Sequence, residues 1–338
     1  MSNYKAAVIG LGKIGLTYDL DPKRERPSSH VLAYEFNPAI KLVAATDKIK
    51  EQELTLHKLA PEVKFYQSVS ELLQNNEIDV ISICTPPSHH LSAIQQVLQN
   101  SAAKIIFCEK PLVGSLEEVT KLKQLLQDTG CHLIPNLSRR WNSGMKRVKD
   151  TISSGQYGEL QKIHVRYTRG IFNTGAHLFD LLHWWVGKID RVRILNRIET
   201  SADSDNDPSF SFIFKIGDAV TGFAEAFNDS QYYLVEIDLY FSKGKISFRN
   251  SGDDVLYYRV GEHHLFSGFK SLLLDRHENK LLAESNLANA VDNIVKVLEG
   301  TESPMCTMDD SIYPLYVAQS LLQSYNNDSS EERVGRYE

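Results

Sequence analysis

The sequence has few cysteines, no long apolar run and no excess of basic residues. Its four cysteines are scattered and form no C-x-x-C pair, which is typical of reduced thiols. No apolar run approaches the length that crosses a bilayer. Aspartate and glutamate total 43 against 37 lysines and arginines, and the net charge of -6 argues against a basic nucleic-acid-binding surface. We therefore expect neither a membrane nor a nucleic acid as a partner.

The length and composition are those of an ordinary globular enzyme. A chain of 338 residues is long enough for two domains, each with its own core. The hydrophobic content of 42% and the charged content of 24% are unremarkable for a globular protein. The first predicted strand begins within a few residues of Met1 and leaves no room for a signal peptide, so we expect a cytoplasmic protein.

A glycine-rich turn directly follows the short apolar strand at residues 6–9. Gly10 allows a tight turn, Gly12 lets the backbone approach a pyrophosphate, and Gly15 lets the next helix pack closely on the strand. The phosphates would then meet exposed N–H groups at the positive end of that helix. The sequence therefore predicts a dinucleotide-binding turn made of Gly10, Leu11, Gly12, Lys13, Ile14 and Gly15.

An acidic residue, Asp47, directly follows the second predicted strand (residues 41–46), which is where dinucleotide-binding domains have one. Asp47 can bind the ribose hydroxyls of adenosine, and its carboxylate would repel the 2′-phosphate of NADP. We therefore predict NAD as the cofactor, with NADP as the alternative because Lys48 follows directly. A glycine turn that joins any strand to any helix is the competing interpretation.

The first third of the chain alternates strands and helices, which predicts a parallel sheet covered on both faces. Beyond Gly158, runs such as Ser209–Ile216 and Val220–Phe227 follow one another without helices, as in an antiparallel sheet with one covered face. Two helices close the chain, and residues 326–338 are expected to form a frayed polar tail. We predict a doubly wound Rossmann domain at 1–124 and a second α+β domain with a large, mostly antiparallel open sheet at 125–338.

Three further motifs follow the glycine turn in order: Thr85-Pro86-Pro87-Ser88-His89-His90, Glu109-Lys110-Pro111, and Asn173-Thr174-Gly175-Ala176-His177-Leu178-Phe179-Asp180. With them the chain resembles the Gfo/Idh/MocA family (glucose–fructose oxidoreductase, inositol dehydrogenase, rhizopine catabolism) over most of its length. Glu-Lys-Pro at the end of a parallel strand is the most specific of these motifs. The resemblance implies NAD(P)-dependent oxidation or reduction of a sugar-like hydroxyl, and a C-terminal domain that binds substrate and pairs subunits through its open sheet face.

The loop after the fourth predicted strand of the first domain is expected beside the cofactor. Loops at the carboxyl ends of such strands line the ligand crevice of open α/β sheets. The resemblance places Thr85, Pro86 and Pro87 there, with Glu109 after the next strand. His90 has two interpretations of equal standing, a cofactor contact and a helix residue with a structural hydrogen bond.

Lys110 is the first candidate for catalysis, and the resemblance assigns the corresponding lysine a catalytic role. It follows a predicted strand and precedes Pro111, so it is expected at the crevice and beside the cofactor. Partial burial next to a positively charged nicotinamide would lower the pKa of its amine. Lys110 could then move a proton to or from the substrate hydroxyl. An isolated lysine would otherwise be a solvated surface charge.

His177 is the second candidate for catalysis and substrate binding. The family commonly has Asp-x-x-x-His here, but this chain has Asn173 in place of the aspartate. The i to i+4 spacing puts both side chains on one face if a helix already covers them. Asn173 can bind a hydroxyl but cannot accept a proton, so its predicted task is positioning. Asp180 is expected to orient His177 or to cap structure, and no metal is predicted.

Basic residues suggest an acidic substrate. Arg139, Arg140 and Trp141 follow the last Rossmann strand, and Arg169 lies just before Asn173. Arginines near a crevice suit phosphates or carboxylates, so Arg139, Trp141 and Arg169 are predicted to bind a phosphorylated, nucleotide-linked or uronic sugar. The unusual insert Thr17–Ser29 separates the glycine turn from the next helix. Its basic residues are either anion ligands or part of a solvated loop.

The predicted function is that of an NAD(P)-dependent dehydrogenase or reductase of a sugar, a sugar derivative or a cyclitol. Two alternatives stay open: a glycosidase of the same family that uses NAD transiently, and a non-catalytic dinucleotide-binding regulator. The small-molecule substrate is left unnamed. A one-sided sheet exposes an apolar face unless something covers it, and we therefore expect a homodimer or a homotetramer.

Overall fold

The computed structural model describes residues 4–201, 203 and 206–335. The chain divides into two compact units. Unit 1 comprises residues 1–142 and 284–312, and unit 2 comprises residues 143–283 and 313–338. Each unit has its own buried hydrophobic cluster.

Unit 1 is built on a six-stranded sheet in the order β3-β2-β1-β4-β5-β6. Every neighbouring pair of its strands runs parallel, as predicted for the first domain. All four residues of β4 are buried, because helices cover both faces of a parallel sheet. The strands are β1 (Tyr4–Ile9), β2 (Ile40–Thr46), β3 (Lys64–Tyr66), β4 (Val80–Ile83), β5 (Ile105–Glu109) and β6 (His132–Asn136).

The helices of unit 1 begin at serines in several cases. Ser29, Ser68 and Ser115 each accept a hydrogen bond from a backbone N–H in the first turn of the helix that follows. The helices are α1 (His30–Glu35), α2 (Gln52–Leu59), α3 (Val69–Asn75), α4 (His90–Asn100), α5 (Leu116–Leu126) and, late in the chain, α8 (Asn286–Leu298).

The division of the chain differs from the predicted boundary after residue 124. Strand β6 pairs with β5 in the Rossmann sheet, so the first unit continues to residue 142. Helix α8 also returns to unit 1, where Val291 and Ile294 join its core. Unit 1 therefore contains two segments that are distant in sequence. A prediction with one domain boundary cannot describe such a unit.

Unit 2 is built on a nine-stranded sheet in the order β14-β13-β12-β11-β7-β10-β9-β8-β15. Only the β7–β10 pair runs parallel among the described pairs, which confirms a mostly antiparallel sheet. The strands are β7 (Leu160–Thr168), β8 (Arg191–Ile198), β9 (Ser209–Ile216), β10 (Val220–Phe227), β11 (Val235–Phe241), β12 (Gly244–Arg249), β13 (Asp254–Glu262), β14 (Lys270–Glu278) and β15 (Glu332–Arg333).

One face of this sheet is covered and the other carries polar side chains. Buried residues of α6 (Ser143–Ser153), α7 (Thr174–Val186) and the second part of α9 (Met308–Asn326) share one core with the sheet. Along β7, Ile163, Val165 and Tyr167 are buried in that core, while His164 between them is exposed. The alternation is that of a sheet with one covered face.

Two parts of unit 2 differ from the expectations. The edge strand β14 was not predicted from its sequence, in which Leu272, Leu273 and Leu274 are all exposed. The expected polar tail is partly ordered, since β15 pairs with β8; residues 336–338 lie outside the described part. No helix among the described residues is long and apolar enough to cross a membrane.

Candidate active site

The strand order of unit 1 places three predicted site segments at one edge of its sheet. The order reverses between β1 and β4, and ligands of open α/β sheets bind outside the carboxyl ends of strands at such a point. The glycine turn follows β1, the loop from Thr85 follows β4, and Lys110 follows β5. Because these parallel neighbours end at the same edge, the structure brings the predicted cofactor residues together.

The three glycines differ in their surroundings in the way that the predicted turn requires. Gly10 has a φ of +95°, and a Cβ there would lie 2.9 Å from the backbone of Cys84. A Cβ on Gly15 would lie 2.0 Å from the carbonyl oxygen of Gly10. A Cβ on Gly12 would meet nothing within 4 Å, so the space beside Gly12 is open for a ligand. This cradle fits a dinucleotide pyrophosphate.

The helix after the glycine turn is interrupted by the predicted insert. The insert Thr17–Ser29 contains only a short 3-10 helix, and α1 begins after it. The backbone N–H of His30 donates to the Ile14 carbonyl at 3.0 Å, and that of Val31 donates to the Gly15 carbonyl at 3.1 Å. Helix α1 therefore starts on the end of the glycine turn, after the insert that the sequence analysis predicts.

Both arginines of the insert are engaged within it. The Arg24 guanidinium lies 3.7 Å from the centre of the Tyr18 ring, and Arg26 donates to the Asp19 carbonyl oxygen at 2.6 Å. The fully buried Asp19 carboxylate accepts from the Ser28 N–H at 2.9 Å. These contacts favour the solvated-loop interpretation of the insert over an anion site.

Asp47 lies next to the glycine turn, as expected of a ribose-binding acid. Its Oδ2 accepts from the Leu11 N–H at 2.7 Å, and its Oδ1 accepts from the Ile49 N–H at 2.9 Å. A carboxylate oxygen can accept more than one hydrogen bond, so the arrangement is compatible with ribose hydroxyls.

The loop after β4 offers a hydroxyl and a buried histidine. Among the described residues, the buried hydroxyl of Thr85 has no hydrogen-bond partner, which suits a group that a cofactor satisfies. Pro86 and Pro87 are exposed. His90 is fully buried, and both of its ring nitrogens lie within hydrogen-bond distance of backbone carbonyls. These contacts favour the structural interpretation of His90 over a cofactor contact.

Glu109 and Lys110 end β5 in a polar environment. Lys110 is half-buried and precedes a cis peptide bond to Pro111. The carboxylate of Glu109 lies 2.8 Å from His30 Nε2 and accepts from Asn136 Nδ2 at 2.6 Å. No local motif marks His30 or Asn136 in the sequence, because only the fold brings them to Glu109.

The residues after β6 do not all suit substrate binding. Trp141 is fully buried, and its indole N–H donates to the Asn136 side-chain oxygen at 3.1 Å, so the predicted substrate contact of Trp141 is corrected to a core role. Arg140 is 3% exposed and forms a 3.0 Å ion pair with Asp310. Arg139 is half-buried and keeps its predicted role as a proposal.

Unit 2 contains the other predicted substrate residues. Asn173 is exposed and precedes the first residue of α7 with non-helical backbone angles, whereas His177 lies inside the helix and is half-buried. Because Asn173 lies outside the helix, the prediction that Asn173 and His177 share one helical face is not met. Arg169 is exposed and has a φ of +66°. Asp180 is buried, which agrees with a structural role.

Asp207 is a site residue that the sequence analysis missed. Its two carboxylate oxygens accept from the backbone N–H groups of Phe172 and Asn173 at 2.7 and 2.9 Å. A Cβ on Gly170 would lie 1.9 Å from the Asp207 Cγ, so only a glycine at position 170 lets the Asp207 carboxylate come this close to the backbone. Asp207 thus holds the segment that leads into α7 and His177. No local motif marks it.

Comparison with known proteins shows what residues 4–137 of the first unit are similar to. Residues 4–137 match the model of GFO_IDH_MocA, described as an oxidoreductase family with an NAD-binding Rossmann fold. The inositol 2-dehydrogenase of Salmonella paratyphi B is 25% identical over 192 residues, which are 53% of this chain and 54% of that protein. The chain thus spans about half the length of this relative.

Two further proteins match over nearly their whole length. The myo-inositol 2-dehydrogenase of Thermotoga maritima is 22% identical over 98% of this chain and 100% of its own. The WlbA dehydrogenase from Bordetella pertussis, solved in complex with NADH and UDP-GlcNAcA, shares the fold with a TM-score of 0.77 and 16% identity over 99% of each chain. The resemblance, the fold class and the NAD-type cofactor are confirmed by these matches, since residues 4–137 match an oxidoreductase family that has an NAD-binding Rossmann fold.

Proposed function

We propose that the protein is an NAD-dependent dehydrogenase or reductase that acts on a hydroxyl or keto group of a sugar, a sugar derivative or a cyclitol. The observation that carries this proposal is the convergence of the glycine turn, Thr85 and Lys110 at one edge of the unit 1 sheet. Relatives named inositol dehydrogenase support a cyclitol. The UDP-GlcNAcA complex of a protein with this fold supports a nucleotide-linked acidic sugar as the other substrate class.

The cofactor would be held by residues at the ends of β1, β2 and β4. The open space at Gly12 admits the pyrophosphate, the Thr85 hydroxyl supplies an unused hydrogen-bonding group, and Asp47 offers oxygens to the ribose. The carboxylate favours NAD over NADP because it would repel a 2′-phosphate. When bound, the nicotinamide supplies hydride acceptance or donation.

Lys110 is proposed as the proton-transfer group. Its amine, when neutral, takes the proton of the substrate hydroxyl during oxidation and returns it during reduction. Lys110 is half-buried at the end of β5, at the edge of the sheet where the cofactor is proposed to bind.

His177 and Asn173 are proposed as further substrate groups, on the strength of the family resemblance. His177 can donate or accept a hydrogen bond through either ring nitrogen, and Asn173 can bind a hydroxyl through its amide. Arg139 and Arg169 are proposed to bind an anionic part of the substrate. Asp207 supports Asn173 by holding its backbone N–H.

A second copy of the chain is the proposed partner of the uncovered sheet face in unit 2. This face has a shallow groove of about 400 Å³, whose lining includes Lys162, His164, Phe223 and Tyr240. Beside it, Asp238 is 1% exposed and pairs with Lys245 and two arginines. A face with both signs of charge and aromatic rings can match its own copy about a two-fold axis.

A ligand-identification experiment tests the function. The purified protein would be denatured and any released ligand identified by mass spectrometry, followed by assays with myo-inositol and a panel of UDP-sugars, each with NAD and NADP. NADH formation supports the proposal. Glycan hydrolysis without net NADH formation would favour the glycosidase. Dinucleotide binding without turnover across the panel would favour the regulator.

A further inference from the structure

Two buried histidines contact the residues on either side of Lys110. His30 contacts the side chain of Glu109, the residue before Lys110, and His90 contacts the carbonyl of Pro111, the residue after it. Both histidines are at most 1% exposed. Neither is close to Lys110 in sequence, and each comes from the first turn of a different helix.

The His30 ring belongs to a chain of buried hydrogen bonds. Its Nε2 lies 2.8 Å from the Glu109 carboxylate, and its Nδ1 lies 2.8 Å from the Ser82 hydroxyl, which in turn lies 2.7 Å from the Tyr34 hydroxyl. Burial raises the pKa of Tyr34, so its hydroxyl stays a donor. Tyr34 then donates to Ser82, Ser82 donates to Nδ1, and Nε2–H donates to Glu109. With this direction of donation, both hydroxyl protons and the proton on Nε2 each have an acceptor in the series.

The Glu109 carboxylate also accepts a hydrogen bond from a neighbouring strand. The oxygen that faces His30 accepts from Asn136 Nδ2 on β6, the strand next to β5. Asn136 is itself fixed, because its side-chain oxygen accepts from the Trp141 indole. The Phe107 ring packs against the His30 ring with centroids 4.8 Å apart. The carboxylate and the ring therefore have little freedom to move.

His90 ties together the two loops that follow β4 and β5. Its Nδ1 lies 2.8 Å from the Pro111 carbonyl oxygen, and its Nε2 lies 2.7 Å from the Thr85 carbonyl oxygen. Carbonyls only accept, so the ring donates to both when each nitrogen carries a proton and to one of them when it is neutral. Either way, it spans from the Thr85 loop to the residue after Lys110.

We propose that His30 and His90 are positioning residues that together hold the Glu109–Pro111 segment so that the Lys110 amine is presented at a fixed place. The proposal rests on the proposed proton-transfer role of Lys110. A displacement of about 1 Å in a reacting group can cost about 100-fold in rate, so loss of either contact should lower turnover more than binding.

The test compares His30→Phe and His90→Phe with the parent, using His57→Phe as the matched control. His57 also contacts a backbone carbonyl in unit 1, that of Val63 at 3.1 Å, but belongs to α2. The first readout needs no substrate: trace acetic anhydride labels the lysines, and peptide mass spectrometry gives the rate at Lys110 relative to exposed Lys48. NADH affinity and kcat and KM on the substrate found by the assay panel are the other readouts.

We expect each of the two Phe variants to change the relative labelling rate of Lys110 and to lower kcat by about 10- to 100-fold, with KM and the NADH Kd within about threefold of the parent. His30→Gln should restore most of kcat, because an amide can accept from Ser82 and donate to Glu109. His57→Phe should leave all readouts unchanged. If a Phe variant fails to fold, the Ala variant at that position, which also lacks the hydrogen bonds of the ring, supplies the measurement.

Parent-like labelling and kcat in folded Phe or Ala variants at both histidines would overturn the positioning proposal. A parent-like kcat in Lys110→Ala would instead overturn the proton-transfer role proposed for Lys110, and the labelling rate of Lys110 in the histidine variants would still decide whether the histidines hold its segment. The two failures are therefore distinguishable.

Discussion

The Asp47 carboxylate accepts a hydrogen bond from the backbone N–H of Leu11 at 2.7 Å. This contact joins the end of β2 to the glycine turn after β1. The same turn is joined to β2 by the Gly10 N–H, which donates to the Thr46 carbonyl at 2.8 Å. Asp47 therefore helps to shape the turn as well as offering oxygens to a ribose, and its substitution has two separable effects.

We expect Asp47→Ala to weaken both NAD and NADP binding, because the turn loses a charge-assisted hydrogen bond worth about 1.5–3 kcal/mol. Asp47→Asn keeps an acceptor for Leu11 but removes the charge, so it should mainly narrow the preference for NAD over NADP. Calorimetric titration of both dinucleotides into each variant measures this. A parent protein that prefers NADP would contradict the proposed role of Asp47.

Substitutions at two glycines should separate binding from folding. Gly12→Val should reduce NADH affinity by at least about 10-fold without changing the melting temperature, because the added side chain occupies open space where the pyrophosphate approaches. Gly15→Val should lower the melting temperature, because its Cβ would lie 2.0 Å from the Gly10 carbonyl oxygen. NADH fluorescence and thermal unfolding supply the two readouts. Parent-like NADH affinity in Gly12→Val would place the cofactor elsewhere.

Lys110→Ala should lower kcat by about 10²- to 10⁴-fold with little loss of NAD affinity, because a general acid–base group is removed. Lys110→Arg should not restore turnover, since a guanidinium stays charged at neutral pH. Lys104→Ala is the control. Lys104 directly precedes β5 and forms an ion pair with Asp79. Steady-state kinetics on the identified substrate would check this, and a near-normal rate for Lys110→Ala would shift the proton-transfer role to His177.

The ion pair between Asp310 and Arg140 predicts a loss of stability in acid. Burial alone raises the pKa of Asp310, but the Arg140 charge and hydrogen bonds from Thr307 lower it below its ordinary value. A depressed carboxyl pKa contributes stability above the unfolded-state pKa of about 4, and this contribution is lost as the pH falls through the folded-state pKa. The parent should therefore lose stability progressively below about pH 4.

Asp310→Asn should lower the free energy of unfolding at pH 7 by about 3 kcal/mol, because the nearly buried Arg140 loses its carboxylate partner. Asp310→Asn should also make the free energy of unfolding depend less on pH in acid. Urea titrations at several pH values measure both effects, with the exposed neighbour Asp309→Asn as the control. An unchanged slope in acid would show that other carboxyl groups determine the acid loss.

The uncovered face of the unit 2 sheet should mediate self-association. Tyr240→Arg adds a charge to the groove and should shift the assembly towards monomer, whereas Leu54→Arg on the exposed side of α2 should not. Light scattering at micromolar concentration would compare the masses. A monomeric parent would contradict the proposed partner.

The sequence alone was sufficient for the features that depend on neighbouring residues. The glycine turn, Glu109-Lys110-Pro111 and the periodicity of strands and helices are local patterns. The strands Ser209–Ile216 and Val220–Phe227 were therefore predicted with their observed bounds. Local alternation also indicated a sheet with one covered face, because a period of two follows from strand geometry itself.

Only the tertiary structure could decide which distant residues support these motifs. His30 and Glu109 are 79 positions apart, and Asp207 is 34 positions from the backbone N–H of Asn173 that it holds. Trp141 illustrates the same limit, because its position after the last Rossmann strand suggested a substrate contact whereas packing against Phe107 buries it. The pairing of such groups depends on strand order and on which face each helix buries, and these are properties of the packed chain rather than of any short stretch of sequence.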